Sequence, residues 1–203
     1  MATVQAPYGL LPINLIGGQS FTGGTIRQYV QSVNSATAIF HGDIVALGVA
    51  SAGQPTAIAA TPTTSSQGIV GVCVGASYVD PTLKYQVFAN FLPANAVSAG
   101  YTNIAVRVID DPDQLYQVQA DGAVALTAIG KNAPLGNFGG STTTGNSTIN
   151  LTSASVANTA TLAVRIVDLV VGPFSTPGDA YTDCIVKFNF GVHSYNQSLG
   201  TAY

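Results

Sequence analysis

The sequence predicts an all-β protein, a jelly-roll-like sandwich or a β-barrel that carries an extended N-terminal arm. Three observations lead there. The 203 residues contain no Glu and only six Lys plus Arg, so the side chains that usually cover helix surfaces are scarce. Val, Ile, Thr, Gly and Asn are plentiful instead, which suits strands and turns. Short apolar runs also recur along the chain, each bounded by Gly, Pro, Asn or Asp.

Residues 1–26 read as the arm. Pro7, Pro12 and the pairs Gly17-Gly18 and Gly23-Gly24 interrupt regular structure, yet Tyr8, Leu10, Leu11, Ile13 and Ile16 keep the segment apolar. A solvated linker would be polar, so these five side chains are the expected protein contacts, on a neighbouring chain or on the arm's own domain. A single β domain is expected over 27–190, followed by a polar tail at 191–203. Within it, strands are expected at Arg27–Val33, Ile44–Val49, Gly68–Ser77, Lys84–Phe91, Ile104–Ile109, Leu162–Val171 and Asp183–Phe190. Leu115–Gln119 and Ala123–Thr127, separated by Asp121-Gly122, read as a hairpin. Residues 130–148 read as a long Gly/Ser/Thr/Asn loop, and 152–158 as a short helical turn. Ala105-Val-Arg-Val-Ile-Asp110 is echoed by Ala163-Val-Arg-Ile-Val-Asp168, as two equivalent strands of a sandwich would be.

Charge is unusually sparse. Only 7% of residues are charged, against about a quarter in ordinary soluble domains. Residues 1–26, 44–79 and 132–164 hold no Asp, Glu, Lys or Arg. So neutral a surface favours association, and a homo-oligomer is expected. Six scattered basic residues and a net charge of −3 give no footprint for nucleic acid. No apolar run is long enough to span a bilayer, and the N-terminus lacks the basic and apolar regions of a signal peptide, so synthesis in a cytoplasm is expected.

Few groups offer chemistry. His41 and His193 are the only histidines, one in a turn and one in the tail, and no nucleophile elbow, P-loop or zinc spacing accompanies them. No enzyme activity, cofactor or catalytic residue is expected. Asp110, Asp111 and Asp113 form the densest carboxylate group; a strand-ending turn explains them better than a calcium site, and no metal site is assigned. Cys73 and Cys184 lie within strand-like runs and are expected to be buried free thiols. Nine tyrosines without any Trp favour interface or half-buried packing over a sugar-binding surface.

The chain resembles a family of small phage structural proteins found beside the major capsid protein in podovirus-like and cyanophage-like virions. The resemblance is carried by Tyr8-Gly-Leu-Leu-Pro-Ile-Asn-Leu-Ile-Gly-Gly18, Phe40-His-Gly-Asp-Ile-Val45, Gly68-Ile-Val-Gly-Val72, Asp111-Pro-Asp-Gln-Leu115 and Asp179-Ala-Tyr-Thr-Asp183, and it runs from residue 7 to about residue 195. It implies a head decoration, or cement, protein on the outer capsid surface, binding the major capsid protein and itself. Such proteins are generally β-rich and commonly sit as trimers, sometimes dimers, where several capsid subunits meet, clamping the shell, so the resemblance favours a trimer over a dimer. A receptor-binding or fibre-like virion protein is the alternative.

Overall fold

The computed structural model describes residues 4–19, 26–31, 35–49, 55–62 and 69–189. The strands are β1 (Leu11–Leu15), β2 (Ile26–Val30), β3 (Ile44–Val49), β4 (Pro55–Ala59), β5 (Ile69–Val79), β6 (Gln86–Ala89), β7 (Thr102–Ile109), β8 (Gln114–Gln119), β9 (Asn132–Ala133), β10 (Leu135–Gly136), β11 (Asn150–Leu151), β12 (Val164–Leu169) and β13 (Asp183–Phe188). Among the described residues the only helical pieces are two single 3₁₀ turns, Leu126–Ala128 and Ser153–Ser155. The protein is all-β, as the scarcity of helix-forming side chains predicts.

Two sheets and a small ribbon make up the fold. One sheet has the order β1-β8-β13-β12-β9, the other β2-β7-β5-β3-β4 with β6 added beside β5, and β10 pairs β11. All the strand pairings are antiparallel. β5 is the spine of the second sheet. It pairs β7 along one edge, and β3 and then β6 along the other, and its uncharged sequence is buried on both faces. Gly71 is required there by close approach, since a Cβ at this position would lie 1.8 Å from the Ile109 carbonyl oxygen.

The two faces of β5 serve two cores. One cluster holds Tyr29, Val45, Cys73, Ala76, Tyr78, Val106 and Val108, with Ile39, Leu92 and Ala96. Side chains from both flanks of the second sheet meet in it, and the edge strands β2 and β4 approach to within 8 Å between Cα atoms, so this sheet curls around its own core. The other cluster joins the sheets: Ile44, Ile69 and Val72 of β3 and β5 pack with Tyr116, Val118, Val164, Ile166, Cys184 and Val186 of the first sheet. β12 shows why, because Val164 and Ile166 point inward while Arg165 is exposed, the period-two alternation of a half-buried strand. Each fully buried Ile, Leu or Val contributes about 1.5–3 kcal/mol of transfer free energy. The sequence echo falls on β7 and β12, one strand in each sheet, and in both copies the β-branched aliphatic residues flanking the arginine are buried.

The chain crosses between the sheets at Asp110–Asp113. Asp111 accepts a bond from the Asp113 amide (2.8 Å) through its own side chain, and Pro112 fixes the bend. Asp110 accepts from the Tyr29 hydroxyl and pairs with Arg27, both at 3.0 Å, and Lys187 reaches Asp113 at 2.8 Å. The three carboxylates thus face separate partners across a turn.

Two expectations need correction. First, Asp121-Gly122 does not close a hairpin. β8 pairs with β1 and β13, and the Asp121 carboxylate instead takes the Ser153 amide and hydroxyl at 2.8 and 2.7 Å. Second, residues 130–148 are not a plain loop. They form β9, β10 and a backbone-paired excursion in which Thr148 bonds Gly139 and Ser141 bonds Asn146. Of the two surfaces left open for the arm, its described part lies on its own domain: β1 is the edge strand of the first sheet, and Leu10 is fully buried in the shared core. Residues 20–25 of the arm and the tail at 191–203 lie outside the described residues.

Candidate functional site

The five residues expected as contacts separate into two groups. Tyr8 and Leu10 are committed to their own domain. The Tyr8 hydroxyl donates to Asp183 (2.9 Å) and accepts from Gln117 (2.9 Å), and burial, helped by the Asp183 charge, holds its phenol well above the ordinary range. Leu10 has no exposed surface, and its amide bonds the Gly42 carbonyl at 3.0 Å. Leu11 and Ile16 remain open to a partner at 42% and 51% exposure, and Ile13 is half-buried.

Larger apolar exposure lies elsewhere. Val171 and Phe174 are 76% and 83% exposed on the loop that leaves β12, and Leu126 is 61% exposed on the nearby 3₁₀ turn. The two segments are adjacent because the Gly178 amide bonds Val124 and the Val124 amide bonds the Thr182 hydroxyl. A second group, Leu83, Tyr85 and Phe88, follows the turn between β5 and β6, where the Asp80 carboxylate holds the amides of Thr82 and Leu83. The Arg107 guanidinium lies over the Phe88 ring at 5.9 Å. Sequence reasoning missed both groups, since an apolar residue in a Gly/Pro loop looks the same whether it folds inward or outward.

The groups with chemical potential are quiet. His41 is half-buried, and desolvation lowers its pKa; His193 lies outside the described residues. Both cysteines are free and buried, and burial pushes each thiol up to about 12, so neither is a thiolate near neutral pH. Among the described residues no group of three or more His, Cys, Asp or Glu is placed to hold a metal ion.

The turn Phe40–Asp43 ties several parts of the fold together. The Asp43 amide bonds the Phe40 carbonyl (3.0 Å) while the Asp43 carboxylate takes the Phe40 amide (2.8 Å), closing the turn from both directions. Gly42 supplies the positive φ of 88°, and its amide bonds Cys73 of β5 at 2.8 Å. His41 bonds Gly145 and Ser147 of the 137–149 excursion at 3.0 and 2.9 Å. The N-terminal segment, β5 and the excursion are therefore all anchored on one turn. Beside it lies a cavity of about 110 Å³ lined by Phe40, Asp43, Ala59, Thr61, Phe138 and Ile149, among others. Asp43 is 6% exposed, and its second carboxylate oxygen, Oδ1, is buried without a hydrogen-bond partner. Burial raises this carboxyl to about 6, against the opposing pull of the Ser147 hydroxyl and the Phe40 amide.

No helix among the described residues is long and apolar enough to cross a membrane. Comparison with protein-family models, curated proteins and solved structures found no match to this chain.

Proposed function

We propose that this protein is a non-enzymatic structural component of a tailed-phage virion, a decoration protein that binds the major capsid protein on the outer surface of the shell and stabilises it. The reading rests first on the sequence resemblance carried by Tyr8–Gly18, Phe40–Val45 and Asp179–Asp183. The observation that carries it furthest is the pairing of a charge-poor chain with large exposed apolar side chains, Phe174, Val171, Phe88 and Leu126. Exposed apolar groups on so neutral a surface are stabilised by burial against other protein, at about 25 cal/mol per Å² before association costs. Repetition over a symmetric shell multiplies such contacts into avidity. In this reading the protein assembles with itself, as a trimer in preference to a dimer, and Leu11, Ile13 and Ile16 at the sheet edge contribute contacts.

The experiment is to mix purified protein with undecorated shells and measure bound copies by sedimentation. Saturable binding that weakens in a Val171→Ser/Phe174→Ser double variant supports the reading. Absence of binding at saturating protein overturns it.

A further inference from the structure

We propose that the cavity beside Asp43 is a binding site for a primary alkylammonium group, such as a free alkylamine or the end of a lysine side chain. The site has a buried floor and an open rim. Phe40, Asp43 and Ile149 form the floor, at 6%, 6% and 1% exposure, while Thr37 and Thr61 at the rim are exposed among the described residues. Its volume of about 110 Å³ is smaller than the roughly 150 Å³ cavity known to hold benzene, so it suits a chain of about four or five heavy atoms. The walls are the methyl and ring groups of Ala38, Ala59, Ala60 and Phe138, which match a short alkyl stem.

The floor supplies the other half of the recognition. Asp43 Oδ2 is spent on the Phe40 amide, while Oδ1 is buried with no donor in full hydrogen-bond geometry, the Ser147 hydroxyl standing near enough only to draw the carboxyl's pKa down. A buried carboxylate oxygen left unpaired is costly, and a charge-assisted bond from an ammonium group would relieve that cost. No lining residue is basic, and the groups that already act on the carboxylate, the Phe40 amide and the Ser147 hydroxyl, are neutral donors. The site is poorly built for a hard metal ion, which needs six or more oxygens where this cavity is mainly apolar. Cys73 on β5 is the titratable group that feels the Asp43 charge, and His41 shares its turn; the 137–149 excursion and β4 carry none. Burial favours the neutral form of both His41 and Cys73, which leaves the carboxylate as the charge that the ligand meets.

The test is titration of the intact chain with n-butylammonium, n-butanol and n-butyrate, followed by protein-observed NMR. The expected result is saturable binding of the ammonium at least about tenfold tighter than that of the alcohol, with no binding of the carboxylate. Asp43→Asn should abolish this preference. Should that variant fold poorly, the pH series of the unchanged protein decides: ammonium affinity should hold between pH 7 and 8 and fall as pH drops below about 6, as Asp43 takes up a proton. A lysine-containing peptide and its Nζ-acetylated form separate the sources. Binding of the first alone points to a protein partner, and binding of butylammonium alone points to a free amine. Equal binding of alcohol and ammonium, or a preference that survives Asp43→Asn or is insensitive to pH, overturns the proposal.

Discussion

Leu10→Ala tests whether the N-terminal segment belongs to its own domain or is an arm for a neighbour. Leu10 has no exposed surface and packs in the cluster that joins the two sheets, with Ile44, Val118 and Ile149. Removing its isopropyl group forfeits about 2.5 kcal/mol of transfer free energy at about 0.8 kcal/mol per carbon. Incomplete collapse around the vacated space adds a cavity term, and the total should be about 3–4 kcal/mol, within the usual range for buried Leu→Ala. In a chain of this length that corresponds to a fall in Tm of about 8–12 °C. Leu11, one residue along and 42% exposed, is the matched control, and Leu11→Ala should cost less than about 1 kcal/mol. Urea denaturation followed by circular dichroism measures both. If Leu10→Ala is as mild as Leu11→Ala, the packing of residues 4–19 on the domain is refuted. By the same reasoning, deletion of residues 2–20 removes β1 and Leu10 together, and it should destabilise the fold rather than spare it.

Further outcomes follow from other sites. Gly71→Ala should destabilise by about 3 kcal/mol or more, because its Cβ would fall 1.8 Å from the Ile109 oxygen; Gly17→Ala, with nothing within 4 Å, should be neutral to within about 0.5 kcal/mol. The Asp43 carboxyl is raised in the folded state from 3.8 to about 6, so the native state holds its proton more tightly than the unfolded chain does. Its contribution therefore makes stability fall as pH rises between about 4 and 6, by about 3 kcal/mol in total, and Asp43→Asn should flatten that part of the profile in denaturation at successive pH values. Cys73 and Cys184, buried with thiols raised to about 12, should resist a thiol reagent at pH 8 in the native protein and react once it is unfolded. Val171→Ser combined with Phe174→Ser should leave the fold intact and lower the mass seen by light scattering at micromolar protein, if that loop is an association surface.

The class of fold was legible because it depends on local pattern. Alternation in Val164–Leu169 and an uncharged run in Ile69–Val79 are visible without partners, and both became strands of the kind the pattern implies. What escaped depends on contacts remote in sequence. Asp121-Gly122 carries a hairpin signal, but Ser153, thirty-two residues away, captures the carboxylate and the strand pairs elsewhere. Pro12 and two glycine pairs made residues 1–26 look irregular, yet Pro12 is tolerated because β1 is an edge strand, where a missing amide need not be paired inward. The 137–149 excursion was hidden by its Gly, Ser and Thr content, and its order comes from bonds to His41. The Asp43 cavity was equally invisible, since Phe40-His-Gly-Asp43 reads as a plain turn until Phe138 and Ile149, remote in sequence, join its lining.

Reconstruction of shells mixed with the purified protein, by single-particle cryo-microscopy, is the decisive measurement. Ordered density should cover the outer capsid surface at sites shared by several major-capsid subunits, fitted by this two-sheet domain with Phe174, Val171 or Phe88 turned toward shell or neighbouring copies. Bare shells at saturating protein, or density confined to the tips of tail fibres, would remove the decoration reading and favour a receptor-binding role.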